Sequence, residues 1–124
     1  MSVMVLVIDD SHMVRQQVCK ALSAAGFSIT EAHDGIDGLE KLAVTPEVRL
    51  IVCDVNMPRM GGLEFLEHIK REGGGLRLPV VMLTTEGQSE LIQRAKALGA
   101  KGWIVKPFKP ELLVAAAKKL TASA

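Results

Sequence analysis

The sequence predicts an α/β domain, a parallel sheet with helices on both faces. Three observations carry this: short continuous apolar runs, amphipathic helical patterns between them, and glycine or proline where helices should stop or start. Continuous apolar runs suit strands covered on both sides, whereas a half-exposed strand alternates. Alternation of such strands with helices implies right-handed crossovers and a doubly wound sheet.

The first strand is expected at Val3 to Ile8, and the first helix follows on Val14, Val18, Leu22 and Ala25, with Gly26 as its C′ residue. A weaker strand at Ser28 to Thr30 precedes a helix on Ile36, Leu39 and Leu42. Leu50 to Cys53 forms the third strand, and Leu63, Leu66 and Ile69 mark the third helix. The triplet Gly73-Gly74-Gly75 then reads as a flexible loop. Val80 to Leu83 is the fourth strand. Its helix carries Leu91, Ala95 and Leu98 and stops at Gly99. A weaker fifth strand, Gly102 to Val105, leads to a helix on Leu112, Ala116 and Leu120, with Pro110 in the first turn. Five βα units result.

At 124 residues the chain is expected to be one domain spanning 1–124. With 48% hydrophobic and 23% charged residues it should fold, and a net charge of +1 provides no field for capturing nucleic acid or an acidic membrane. Cys19 and Cys53 form no CxxC pair and read as reduced core residues. The apolar N-terminus meets Asp9 and Asp10 too soon to be a signal peptide or a membrane span, so a cytoplasmic protein is expected.

The polar residues fall at the strand ends. The first strand runs into Asp9-Asp10, the third into Asp54, the fourth into Thr84-Thr85 and the fifth into Lys106. Open α/β sheets bind ligands outside the carboxyl ends of their strands, where the strand order reverses. If the first and third strands are central neighbours, Asp9, Asp10 and Asp54 converge, and their repulsion asks for a cation. Hard oxygen donors favour Mg²⁺, with Mn²⁺ acceptable. A carboxylate nucleophile, a divalent ion, an ammonium and a hydroxyl together describe phosphoryl transfer to an aspartate. Singly, Asp10 also reads as a partial N-cap of the first helix.

These segments, Val7-Ile8-Asp9-Asp10-Ser11, Asp54 through Gly62, Leu83-Thr84-Thr85-Glu86 and Lys106-Pro107-Phe108, resemble receiver domains of the two-component response-regulator family. The likeness is closest to the chemotaxis type, which stands without an output domain. It implies a flavodoxin-like sheet of order 2-1-3-4-5. It further implies that Asp54 accepts a phosphoryl group from a histidine kinase or phosphotransfer protein. Asp9, Asp10, Asp54 and the backbone carbonyl of Asn56 would hold Mg²⁺, while Lys106 and Thr84 would contact phosphoryl oxygens. The resemblance implies a cis Lys106-Pro107 bond, although an unassisted X-Pro bond favours trans by about 0.5–1 kcal/mol.

Trp103 aligns with a switch aromatic that is usually Tyr or Phe; an indole is larger and needs a partner for its N–H when buried, so a fixed surface anchor is the competing reading. Asn56 and Glu86 flank the route of attacking water and are expected to tune dephosphorylation. Thr85 departs from the commoner Ala or Gly, and its bulk is expected to slow large phosphodonors or a phosphatase side chain. The implied function is a phosphorylation switch, not an enzyme, that remodels the face of the fourth helix, fifth strand and fifth helix for a downstream protein such as a flagellar switch or motility component. A monomer is expected, with dimerisation on phosphorylation left open.

Alternatives are a phosphorelay intermediate, a receiver that works unphosphorylated, an aspartate-dependent phosphatase and a flavodoxin-type electron carrier. Asn56 stands where the phosphatase needs a second acid, and the acids after the first strand oppose a flavin phosphate. His12, His33 and His68 read as solvated residues, the methionines as core or loop packing, and Lys101, Lys118 and Lys119 as solvated charges near the docking face.

Overall fold

A computed structural model describes residues 2–71, 78–85 and 89–122. Among these residues five strands and five helices alternate: β1 Met4–Ile8, α1 His12–Ala24, β2 Ser28–Ala32, α2 Gly35–Val44, β3 Val48–Asp54, α3 Gly62–Arg71, β4 Val80–Thr85, α4 Ser89–Ala97, β5 Gly102–Lys106 and α5 Pro110–Thr121. All strand pairs are parallel, in the order β2-β1-β3-β4-β5. This is the doubly wound, flavodoxin-like sheet expected from the sequence. The Gly73-Gly74-Gly75 loop and Glu86 lie outside the described residues.

Side chains of a strand point alternately to opposite faces, so each central strand feeds two cores. Leu6, Ile8, Ile51, Cys53 and Met82 meet Leu63, Phe65, Leu66 and Ile69 of α3 and Ala95 of α4, with Leu39 and Leu42 of α2 packed alongside. Val5, Val7, Leu50, Val52, Val81 and Leu83 meet Val18 and Leu22 of α1 and Leu113 and Ala117 of α5. Burial on both faces explains the unbroken apolar runs. The flanking strands differ: β2 keeps partly exposed polar residues, and β5 turns Trp103 and Val105 outward at 38% and 41% exposure.

Helix ends follow local chemistry. Gly26 and Gly99 take positive φ after α1 and α4, and Pro110 occupies the first turn of α5. The α1 cap is Ser11, whose hydroxyl accepts the Val14 N–H at 3.3 Å, not Asp10. Asp10 is thereby left exposed at the sheet edge. Asp34 caps α2 by accepting the Asp37 N–H at 2.9 Å. Met57, Met60 and Met82 pack as expected, but Met13 is 68% exposed on α1. Cys19 and Cys53 are free thiols, and burial pushes the Cys19 thiol up to about 11.

Candidate functional site

The chain leaves β1 in one direction to form β2 and the other side of the sheet through β3, β4 and β5, so the strand order reverses between β1 and β3. A crevice at the carboxyl end follows from that reversal. Ile8 pairs with Cys53 in the β1–β3 register, which brings the next residues, Asp9 and Asp54, side by side. Asp9, Asp10 and Asp54 each present a carboxylate oxygen within 4.8 Å of the others. Asp9 and Asp54 are buried. The three acids predicted to converge do so.

Lys106, the last residue of β5, reaches across to both buried acids. Its Nζ lies 3.0 Å from Asp9 Oδ2 and 3.2 Å from Asp54 Oδ1. The Lys106-Pro107 bond is cis, as the family likeness implied. Burial first, then the charge of Asp9, pushes the Asp54 carboxyl up to about 6; Lys106 and the Asn56 N–H hold it back. Burial opposes the Lys106 charge, but its bond to Asp9 and the charge of Asp54 prevail and raise its pKa above the ordinary lysine value. One ammonium therefore only partly offsets the clustered carboxylates.

In β4, Leu83 pairs with Asp54, and Thr84 follows it at the same edge. The Thr84 hydroxyl is buried and has no hydrogen-bond partner among the described residues. Leaving such a group unbonded costs about 1–3 kcal/mol, which points to a polar ligand as its missing partner. A Thr84→Val variant is accordingly expected to match or exceed wild-type stability by up to about 1 kcal/mol in urea unfolding. A loss larger than that would show that the hydroxyl is already bonded.

Thr85 is exposed beside Lys106, its register partner in β5. Asn56 is exposed in the β3–α3 loop, where it lines a cleft of about 540 Å³ with Asp10, Met57, Glu64, Leu91 and Arg94. Trp103 stands on the outer side of β5 with Lys96 Nζ 5.9 Å from its ring centre, a cation–π spacing.

Two arginines escaped sequence reasoning. Arg15 of α1 donates from Nη1 to the Asp9 carbonyl at 2.6 Å and from Nε to Glu31 at 3.1 Å, fastening the loop after β1 to β2. Arg59, in the β3–α3 loop, grips the buried Asp34 with Nε at 2.6 Å and Nη2 at 3.1 Å. That fork holds the Asp34 carboxyl below its ordinary range. Both arginines sit inside or beside segments with recognisable patterns, but their partners are distant in sequence and no spacing rule names them. His33 pairs with Asp37 at 2.8 Å and is 58% exposed.

Gly62, the first residue of α3, allows the closest backbone approach in the site. A Cβ there would stand 2.2 Å from the Asp54 carbonyl oxygen, and the Gly62 N–H donates to the Val55 carbonyl at 2.9 Å. Only glycine lets α3 start directly against the strand that presents Asp54.

The donor set is all oxygen, anionic and short of countercharge, which fits a hard divalent cation and excludes a soft-metal site. Fold and site together define an α/β domain with an acidic, cation-ready crevice at its switch point.

Residues 5–118 match the family model for the response regulator receiver domain. The chain belongs to that family. It is 36% identical over 110 residues to the chemotaxis protein CheY1 of Helicobacter pylori, covering 87% of this chain and 88% of that one. It is 41% identical over 106 residues to the chemotaxis protein CheY of Treponema pallidum, covering 84% and 72%. The solved structure of the Vibrio cholerae chemotaxis protein CheY4 superposes with a TM-score of 0.89 at 39% identity, covering 97% of this chain and 99% of that one. This is a CheY-like receiver domain of two-component signalling.

Proposed function

We propose that Asp54 is the phosphoacceptor of a chemotaxis-type signalling switch. The observation that carries this is the meeting of Asp9, Asp10 and Asp54 within 4.8 Å, with Lys106 bridging two of them. Asp9, Asp10, Asp54 and the Asn56 carbonyl would hold Mg²⁺, which when bound offsets the negative charge of the acids and of the incoming phosphoryl group.

A carboxylate oxygen of Asp54 attacks the phosphorus of a kinase or phosphotransfer phosphohistidine. The O–P bond forms as the N–P bond breaks, and the imidazole leaves with the electron pair. Lys106 neutralises a phosphoryl oxygen, and the unbonded Thr84 hydroxyl donates to another. Such transfer relies on positioning and charge neutralisation, in keeping with a site whose described residues place no histidine base against Asp54.

Movement of Thr84 toward the phosphoryl group would alter β4 beside β5, the strand that carries Trp103. The α4-β5-α5 face then changes its affinity for a downstream protein through a shift between two pre-existing states. The chemotaxis relatives support a motility component, such as a flagellar switch, as that protein. A phosphohistidine donor made from ATP places the work in the cytoplasm. Asn56, Thr85 and Glu86 would set how fast water or a large phosphodonor reaches Asp54.

The test follows Trp103 fluorescence and intact mass while Mg²⁺ and then acetyl phosphate or beryllofluoride are added. With acetyl phosphate wild type should gain a phosphoryl mass, and with either reagent it should change its fluorescence; Asp54→Ala should do neither, and Thr85→Ala should dephosphorylate at a different rate. An adduct that persists in Asp54→Ala would move the phosphoacceptor elsewhere. Equal rates in Thr85→Ala and wild type would remove Thr85 from the scheme.

A further inference from the structure

The β3–α3 loop carries Asn56, whose carbonyl faces the crevice in the reading above, yet Asn56 itself is exposed and receives little packing. Its own N–H bonds the Asp54 carboxylate, and the loop's attachments supply the rest of its hold. At the base, the Gly62 N–H donates to the Val55 carbonyl at 2.9 Å, closing the loop on itself. At the tip, the attachments lead away from the crevice to the start of α2. The Arg59 fork binds both oxygens of Asp34, and the Gly35 N–H donates to the Met60 carbonyl at 2.9 Å.

Arg59 takes φ +62°, the left-handed region that side chains other than glycine avoid. A loop left to itself would favour glycine or asparagine there. The Met60 N–H closes a tight, strained turn around Arg59 by donating to the Pro58 carbonyl at 2.6 Å, and the fork ties that turn to the start of α2. Asp34 is suited to be the anchor: it is 1% exposed and simultaneously caps α2 through the Asp37 N–H. It thus cannot turn away from Arg59 without uncapping the helix. Gly35 completes the seat, since a Cβ there would stand 2.6 Å from Met60 Cγ.

The geometry points to Arg59 and Asp34 as a positioning pair that sets divalent-cation affinity by fixing the Asn56 carbonyl, without either residue touching the cation. This rests on the reading of Asp9, Asp10, Asp54 and Asn56 as the cation site. Partners that orient a ligand typically change metal affinity by about 10–100-fold when removed.

Mg²⁺ titration calorimetry on wild type, Arg59→Gly, Asp34→Asn and the double variant tests it. Arg59→Gly removes the fork and leaves the tip free to take the left-handed φ or leave it, so that it does not unfold through strain but is no longer held, and Asp34→Asn keeps an oxygen to cap α2. Each single variant should weaken Mg²⁺ binding by about tenfold, and the double variant should be no weaker, since both remove one interaction.

Amide exchange of metal-free protein gives a readout independent of the cation. The Gly35 amide, whose acceptor is Met60 of the loop tip, should exchange faster in Arg59→Gly while the β1 and β3 amides do not change. Wild-type affinity in Arg59→Gly, or additive losses in the double variant, would overturn the pairing. If wild type itself bound no Mg²⁺ while the Gly35 amide still exchanged faster in the variant, the cation-site reading would fall, the role in affinity with it, and only the mechanical hold would stand.

Discussion

Asp54→Asn is expected to be more stable than wild type at pH 7.5, by about 2 kcal/mol, while losing all capacity to accept a phosphoryl group. The Asp54 carboxyl titrates near 6 in the folded chain, against an ordinary value of 3.8, because burial and the Asp9 charge disfavour its ionised form. The folded state therefore binds that proton more tightly than the unfolded state. Stability falls as pH rises from about 3.8 to about 6, and the deficit is complete above that window. A shift of this size corresponds to roughly 3 kcal/mol at about 1.4 kcal/mol per pH unit, and loss of the Lys106 ion pair in the variant reduces the net gain. Urea unfolding at pH 7.5 and pH 4 checks both parts. The advantage should be present at the higher pH and nearly vanish at the lower. No gain at pH 7.5 would mean that Lys106 alone already balances the acids. Added Mg²⁺ should narrow the gap, because it binds the folded wild type and relieves the same repulsion.

The second large effect is expected at Gly62. Its missing Cβ would collide with the Asp54 carbonyl oxygen at 2.2 Å and with Val55 Cα and Met82 Cε at 2.9 Å. Backbone cannot yield as a flexible side chain does, so Gly62→Ala must push the start of α3 off β3. The expected cost is about 3 kcal/mol in urea unfolding, at the upper end for added core volume. The same displacement moves the main chain of Asp54, so phosphoryl uptake should fall even at temperatures where the variant is fully folded. A variant with wild-type stability would show that α3 can shift at no cost.

The fold was legible where physics is local. Runs such as Val5-Leu6-Val7-Ile8 admit few alternatives once both faces of a strand are covered. Gly26, Gly99 and Pro110 mark helix ends because each has a backbone constraint of its own. Legibility fell at the strand ends, where β2 includes Glu31 and Ala32 beyond its expected end and β3 begins at Val48 and Arg49, earlier than the apolar run. The α1 cap went to Ser11 over Asp10 because a hydroxyl one residue later reaches the Val14 N–H.

At the site, the acids and Lys106 were visible because strand ends in a doubly wound sheet share one edge. The Arg59–Asp34 fork was not. It joins residues 25 positions apart through side chains whose separate local roles, loop and cap, are each sufficient explanation. Met13 stands exposed on α1, and nothing among the described residues accounts for it.

The bridge between Asp9 and Lys106 spans 97 positions of the chain. During synthesis the acids therefore emerge from the ribosome well before the ammonium that tempers them. Until β5 docks, the carboxylates lack the Lys106 ammonium that lies against two of them in the finished fold. On the function proposed above, the acidic crevice is completed only with the last strand, and a polypeptide stalled before Lys106 would hold the acids without their counter-charge.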